Sequence, residues 1–126
     1  MSGLTYDAGA LIAAERGSRA VWVMHRRALE QGILPTVPAV ALAQAWRGGR
    51  QAQLGRLLRG CRIAAFGERD ARATGEALAA SGTSDVVDAD VVVGAGVRGD
   101  AIVTGDPRDL ALVAAAVGIA PALHVV

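Results

Sequence analysis

The sequence predicts an α/β protein with a parallel sheet and helices on both of its faces. Three observations carry this reading. Five short apolar segments alternate with longer alanine- and leucine-rich stretches of helical period. Helix-capping residues and glycines punctuate the alternation at plausible starts and stops. A chain of 126 residues, 52% of them hydrophobic, fits a single domain around one core, and it shows no repeat or low-complexity linker.

Residues 3–6 are apolar and end at Asp7, so a buried first strand runs straight into a helix over 8–15. Ser18 is a candidate N-cap for a second helix reaching about residue 31, with Gly32 as its stop. Val21, Met24, Ala28 and Leu29 recur on it at helical spacing. Residues 33–37 form a second strand, which Pro35 demotes to an edge or irregular one. Pro38 suits the first position of a third helix, covering 39 to about 46. After the break at Gly48-Gly49, a fourth helix spans about 50–59, with Leu54, Leu57 and Leu58 on one face. Residues 61–66 make a third strand and 68–80 a fifth helix with acids in its first turn. The loop 81–84 leads into a helix over 85–97, whose Gly94, Ala95 and Gly96 suggest close packing. Residues 101–104 form a fourth strand, 108–117 a last helix opened by Asp106-Pro107, and 122–125 a closing strand.

Composition excludes several chemistries. All thirteen basic residues are arginine, so P-loop clamps, Schiff-base chemistry and kinase-type lysines are out. One cysteine, Cys61, allows neither an internal disulfide nor a cysteine-cluster metal site. His25 and His124 are too few for a multi-histidine centre, and the four serines show no triad motif. No segment is long enough to span a membrane or patterned as a signal peptide, so a soluble, cytoplasmic protein is expected.

The net charge of +1 conceals an asymmetry. No acid lies between Gln31 and Gly67, where Arg47, Arg50, Arg56, Arg59 and Arg62 give +5. Residues 85–109 carry six aspartates against two arginines. Such segregation is what a metal site beside a polyanion-binding surface requires, although arginines on helix faces also serve simple solvation. Trp22 and Trp46 can stack on bases or pack in a core or interface.

Ligands of open α/β sheets bind at the carboxyl ends of strands. Asp7 ends the first strand, Asp106 follows the fourth, and Asp88 lies in the first turn of the helix after Ser84, so the three can converge. Helix capping is the favoured role for Asp85 and only the alternative one for Asp106. Asp7 is different, since a carboxylate directly after a buried strand is costly unless paired or bound to a cation. Clustered carboxylates select hard cations, Mg²⁺ or Mn²⁺, which polarise phosphodiesters and acidify bound water. Asp85 and Asp109 lie one turn away, in supporting or capping positions, while Asp90 points elsewhere.

The segments Tyr6-Asp7-Ala8, Pro38 through Arg47, Val87-Asp88-Ala89 and Val103 through Leu110 together resemble the PIN-domain family. More narrowly they are similar to VapC-type toxins of actinobacterial VapBC toxin–antitoxin pairs, and the resemblance covers essentially the whole chain. It implies a single PIN-like domain with a five-stranded parallel sheet. It also implies an Mg²⁺-dependent endoribonuclease that hydrolyses RNA phosphodiesters, a VapB-type antitoxin partner and a homodimer. Asp7, Asp88 and Asp106 match the family's metal-binding acids, and Thr104 its small hydroxyl residue two positions before the last acid. Gln44 stands where the family usually has glutamate, and Gly105 where serine or asparagine is commoner. Val40 and Ala43 are expected to fill the inward face beside Gln44. Arg47 and Arg50 are candidates for contacts to RNA phosphates or to the antitoxin. The competing reading is a catalytically weakened RNA- or protein-binding module of the same fold. A phosphate-receiving signalling domain fits less well, lacking paired acids at the first strand and a lysine after the last.

Overall fold

The computed structural model describes residues 3–126. The chain runs β1 (Leu4–Tyr6), α1 (Ala8–Glu15), α2 (Arg19–Glu30), β2 (Thr36–Pro38), α3 (Ala39–Ala45) and α4 (Ala52–Leu58). It continues through β3 (Arg62–Ala64), α5 (Glu68–Ser81), α6 (Val86–Arg98), β4 (Ala101–Thr104), α7 (Pro107–Ala116) and β5 (Leu123–Val125). The elements follow the order expected from the sequence. The five strands form one sheet in the order β3-β2-β1-β4-β5, and every pairing is parallel.

Successive strand residues face opposite sides, so a strand buried along its whole length must be covered on both. All four residues of β4 are buried, as are Thr5 and Tyr6 of β1. Helix α1 packs against α2, α3 and α4, while α5, α6 and α7 pack against one another. The core is built from Tyr6, Leu11, Leu54, Leu57, Ile102 and Leu110, with valines and many alanines between them. Alanine lets the helices approach closely and costs no side-chain entropy.

Residues 33–38 depart from expectation. The strand begins only at Thr36, and Pro38 ends it with extended backbone instead of opening α3. Nor is β2 an edge, since it lies between β1 and β3. Pro35 lies just before the strand, and Pro38 is its last residue, paired with Ala64 of β3 but beyond the pairing with β1. Pro35 contributes only its carbonyl, which accepts from the Arg62 amide at 2.8 Å. β1 pairs with β2 only at Thr5 and Thr36, so no partner needs the missing proline N–H.

Helix α2 also buries a residue that apolar periodicity overlooks. Val21 and Ala28 face inward as expected, but Leu29 is exposed and His25 takes the position between them. His25 Nδ1 bonds the Tyr6 hydroxyl at 2.8 Å, satisfying two buried polar groups at once. Burial also lowers the His25 pKa, favouring the neutral ring. In α6 the valine-rich sequence is helical, closed by Gly99 in the left-handed conformation. Its tight approach is at Gly96, where a Cβ would stand 2.8 Å from Ile119 Cδ1.

Candidate active site

After β3 the chain crosses back past β1 to form β4, so β1 and β4 are the pair at which the strand order reverses. A crevice opens outside the carboxyl ends of strands at such a point. Asp7 directly follows β1 and Asp106 directly follows Gly105 at the end of β4. Asp88 stands in the first turn of α6, which packs on both strands, and Gln44 on α3, which packs on α1 and α6. These four side chains line one open cleft of about 570 Å³, together with Asp85 and Asp109.

Asp7 is only 5% exposed. Its Oδ1 accepts from the Ala10 amide at 2.8 Å, making it the N-cap of α1. The Thr104 hydroxyl and the Gly105 amide lie near its carboxyl group and favour its charged form. Desolvation nevertheless outweighs these donors, and Asp106 nearby adds repulsion, so the pKa is raised above the ordinary carboxylate value. Thr104 Oγ1 accepts from the Asp106 amide at 2.9 Å, which holds the backbone of Asp106 beside Asp7. The first turn of α1 and the chain leaving β4 meet closely here. A Cβ on Gly9 would lie 3.1 Å from the Gly105 nitrogen and 3.4 Å from Asp7 Oδ1.

The other acids divide by their bonding. Asp85 caps α6 by accepting from the Asp88 amide at 3.0 Å, as expected. Asp106 occupies the N-cap position of α7, but its side chain makes no capping bond. Asp90 bonds Thr74 and stands apart from the cleft, as expected. The Asp88 pKa is pushed up to about 6, first by desolvation and then by repulsion from Asp85, Asp109, Asp7 and Asp106. Negative charge thus accumulates in the cleft, and among the described residues no arginine forms an ion pair with these acids.

The donor set suits a hard cation, being made of carboxylate and amide oxygens. Among the described residues, however, no three histidine, cysteine or carboxylate side chains are already grouped closely enough to hold one ion. Occupancy therefore requires the carboxylates to draw inward. Asp88 and Asp106 accept no side-chain hydrogen bond that would resist this, while Asp7 is held by its cap.

Gln44 is exposed on the cleft wall. Its inward neighbours are Ala41 and Ala45, which are buried, with Val40 half-buried. Ala43 is exposed, contrary to expectation, because positions 41 and 45 lie one helical turn apart and set the buried face of α3. Arg47 and Arg50 are exposed but do not line the cleft. One Arg47 guanidinium nitrogen is already engaged, donating to the Trp46 carbonyl at 2.7 Å. Trp22 takes a packing role, bonding the Ala14 carbonyl, meeting His25 edge-on and carrying Arg56 over its ring at 4.5 Å. The residue that sequence reading missed is Arg16, the one cation lining the cleft. Its position follows α1 by one residue, and no local pattern marks it.

Among the described residues no helix is long and apolar enough to cross a membrane. No family model matches the chain, and no curated protein matches it in sequence. Solved structures do match in fold. A toxin–antitoxin complex from Klebsiella pneumoniae aligns with a TM-score of 0.66 at 19% identity, over 87% of this chain and 91% of that one. The crystal structure of PAE2754 from Pyrobaculum aerophilum aligns with a TM-score of 0.63 at 18% identity, over 98% of this chain and 91% of that one. At such identities the likeness shows shared architecture alone, and that architecture is an α/β fold with a five-stranded, all-parallel sheet.

Proposed function

We propose that this protein is a metal-dependent endoribonuclease and the toxin of a toxin–antitoxin pair. The observation that carries the reading is one cleft at the β1/β4 switch point lined by Asp7, Asp88, Asp106 and Gln44. The fold shared with a toxin–antitoxin complex supports a toxin role and an antitoxin partner. Asp7, Asp88 and Asp106 would hold Mg²⁺ or Mn²⁺, which supplies charge neutralisation at a phosphodiester and an acidified water. Thr104 accepts from the Asp106 amide and so anchors the backbone beside Asp7, leaving the Asp106 carboxylate free to turn towards an ion. Gln44 presents an amide that can accept from or donate to a water without adding charge. Arg47 and Arg50 extend the surface offered to RNA phosphates or to an antitoxin. Neutralising both is expected to weaken binding and to flatten its salt dependence, leaving metal binding unchanged. Equal salt slopes for wild type and the double variant would reduce them to solvated surface.

Metal titration of RNA cleavage tests the proposal. Wild type is expected to cleave single-stranded RNA only with Mg²⁺ or Mn²⁺. A carboxylate within about 4 Å of the ion is worth a few kcal/mol at an effective dielectric near 20, before desolvation is subtracted. Solvent exposure of Gln44 trims that to ~1 kcal/mol, so Gln44→Glu should lower the half-saturating metal concentration about fivefold. Gln44→Ala should raise it slightly. Identical midpoints for all three place Gln44 outside the reaction. A second reading, a weakened binding module, is favoured by the glutamine and by acids not yet grouped around an ion. RNA binding without cleavage in any divalent metal selects it.

A further inference from the structure

We infer that Arg16 binds a backbone phosphate of single-stranded RNA next to the one undergoing hydrolysis, and so sets substrate register. The inference rests on the ribonuclease reading and adds to it a residue that the acidic site does not contain. Arg16 lines the same cleft as the aspartates and is exposed at its rim. Among the described residues the ion pairs are Arg72–Glu68 and Arg98–Asp100, so Arg16 has no carboxylate within 4.0 Å despite the acids around it. Its guanidinium makes no hydrogen bond to the protein either, unlike those of Arg47, Arg56, Arg62 and Arg98. Its donors are therefore free for a ligand, and guanidinium geometry matches a phosphate.

The place of Arg16 on the rim bears on which phosphate it meets. Asp7 caps the start of α1 and Arg16 caps its end, with eight helical residues between. At 1.5 Å per residue their backbones stand about 13 Å apart. An aspartate with its ion and an extended arginine reach that far around a single phosphate, so it is the exposed rim position of Arg16, away from buried Asp7, that favours the neighbouring one along an extended strand. Electrostatics gives the residue a reason to be there. A polyanion approaching a cleft lined by aspartates is repelled, and a cation at the rim offsets this locally. Such a contact is made alike in ground and transition states, so its loss should appear in KM and leave kcat unchanged.

The test uses the full chain and a short fluorescently labelled single-stranded oligoribonucleotide. Cleavage is followed in Mg²⁺, and binding by anisotropy in Ca²⁺ across a range of salt. Arg16→Gln is expected to raise KM and Kd about fivefold, the order of one exposed charged contact. The salt slope should fall by about 0.7, one phosphate on a single strand. Arg16→Lys should recover most of the loss, since it keeps the charge. Arg69→Gln on α5 removes the same charge away from the cleft and should match wild type. Unchanged KM and salt slope in Arg16→Gln overturn the inference while leaving the nuclease intact. A fall in kcat at constant KM overturns it too, by moving Arg16 to the reacting phosphate. Wild type that neither binds nor cleaves RNA overturns the ribonuclease reading itself.

Discussion

Asp7→Asn is expected to lower RNA cleavage by roughly a hundredfold or more while leaving a metal-free fold no less stable than wild type at pH 7. The two effects come from different properties of one side chain. Activity falls because a charged oxygen ligand is replaced by a neutral amide. Stability holds because Asn keeps an oxygen that can accept from the Ala10 amide, so the cap on α1 survives. The charge itself is a burden in the folded state. Burial raises the Asp7 pKa even after Ala10, Gly105 and Thr104 have lowered it, so the fold favours the neutral form on balance. A neutral side chain of the same shape relieves that cost, offsetting the donor left with a poorer partner. Asp7→Ala separates the terms, because it also deletes the cap and should cost about 1 kcal/mol. Melting with and without Mg²⁺ is the deciding measurement. At a hundredfold excess over Kd the ion should add about 2.7 kcal/mol to wild type, roughly 8–12 °C in Tm. Asp7→Asn should gain far less. Equal gains in both proteins defeat the shared-ion reading.

How legible this molecule was depended on whether a feature is local. Strands and helices are set by apolar period, caps and glycines, and they follow the order read from the sequence. The exact fit of β4 shows this best, a run of four apolar or β-branched residues between Asp100 and Gly105. The edge assignment of β2 failed because proline is forbidden only where a partner needs its N–H, and pairing register is not written locally. His25 was invisible as core because its polarity is cancelled by Tyr6, nineteen residues away. The three aspartates were legible because each closes a strand or opens a helix, and topology then brings strand ends together. Their bonding was not. Asp7 proved to be a cap, whereas Asp106 holds the cap position without using it. Arg16 was unreadable for a related reason, since only the folded cleft distinguishes it from twelve other arginines.

Asp88→Asn is expected to remove a pH dependence centred near pH 6. In the metal-free protein Asp88 titrates at about 6 against an ordinary value of 3.8, through burial and the repulsion of Asp85, Asp109, Asp7 and Asp106. Between those two values the folded chain retains a proton that the unfolded chain has released. Stability of the metal-free protein therefore falls as pH rises through that window, and the loss is complete above pH 6. Half exposure of the side chain keeps the effect small, and Asp7 contributes in the same direction. Asp88→Asn should show a shallower decline and should exceed wild type above pH 6. Metal binding runs the opposite way, because an ion must displace the proton. Wild-type affinity for Mg²⁺ should rise up to tenfold per pH unit below about 6 and then level off. In Asp88→Asn the affinity should be weaker throughout, and the break near pH 6 should disappear. Urea midpoints at pH 4.5 and 7.5 in EDTA, with Mg²⁺ calorimetry at pH 5, 6 and 7, measure both slopes on the same protein. If the break near pH 6 persists in Asp88→Asn, another carboxylate of the cleft controls it, and Asp88 is not the group whose proton the ion displaces.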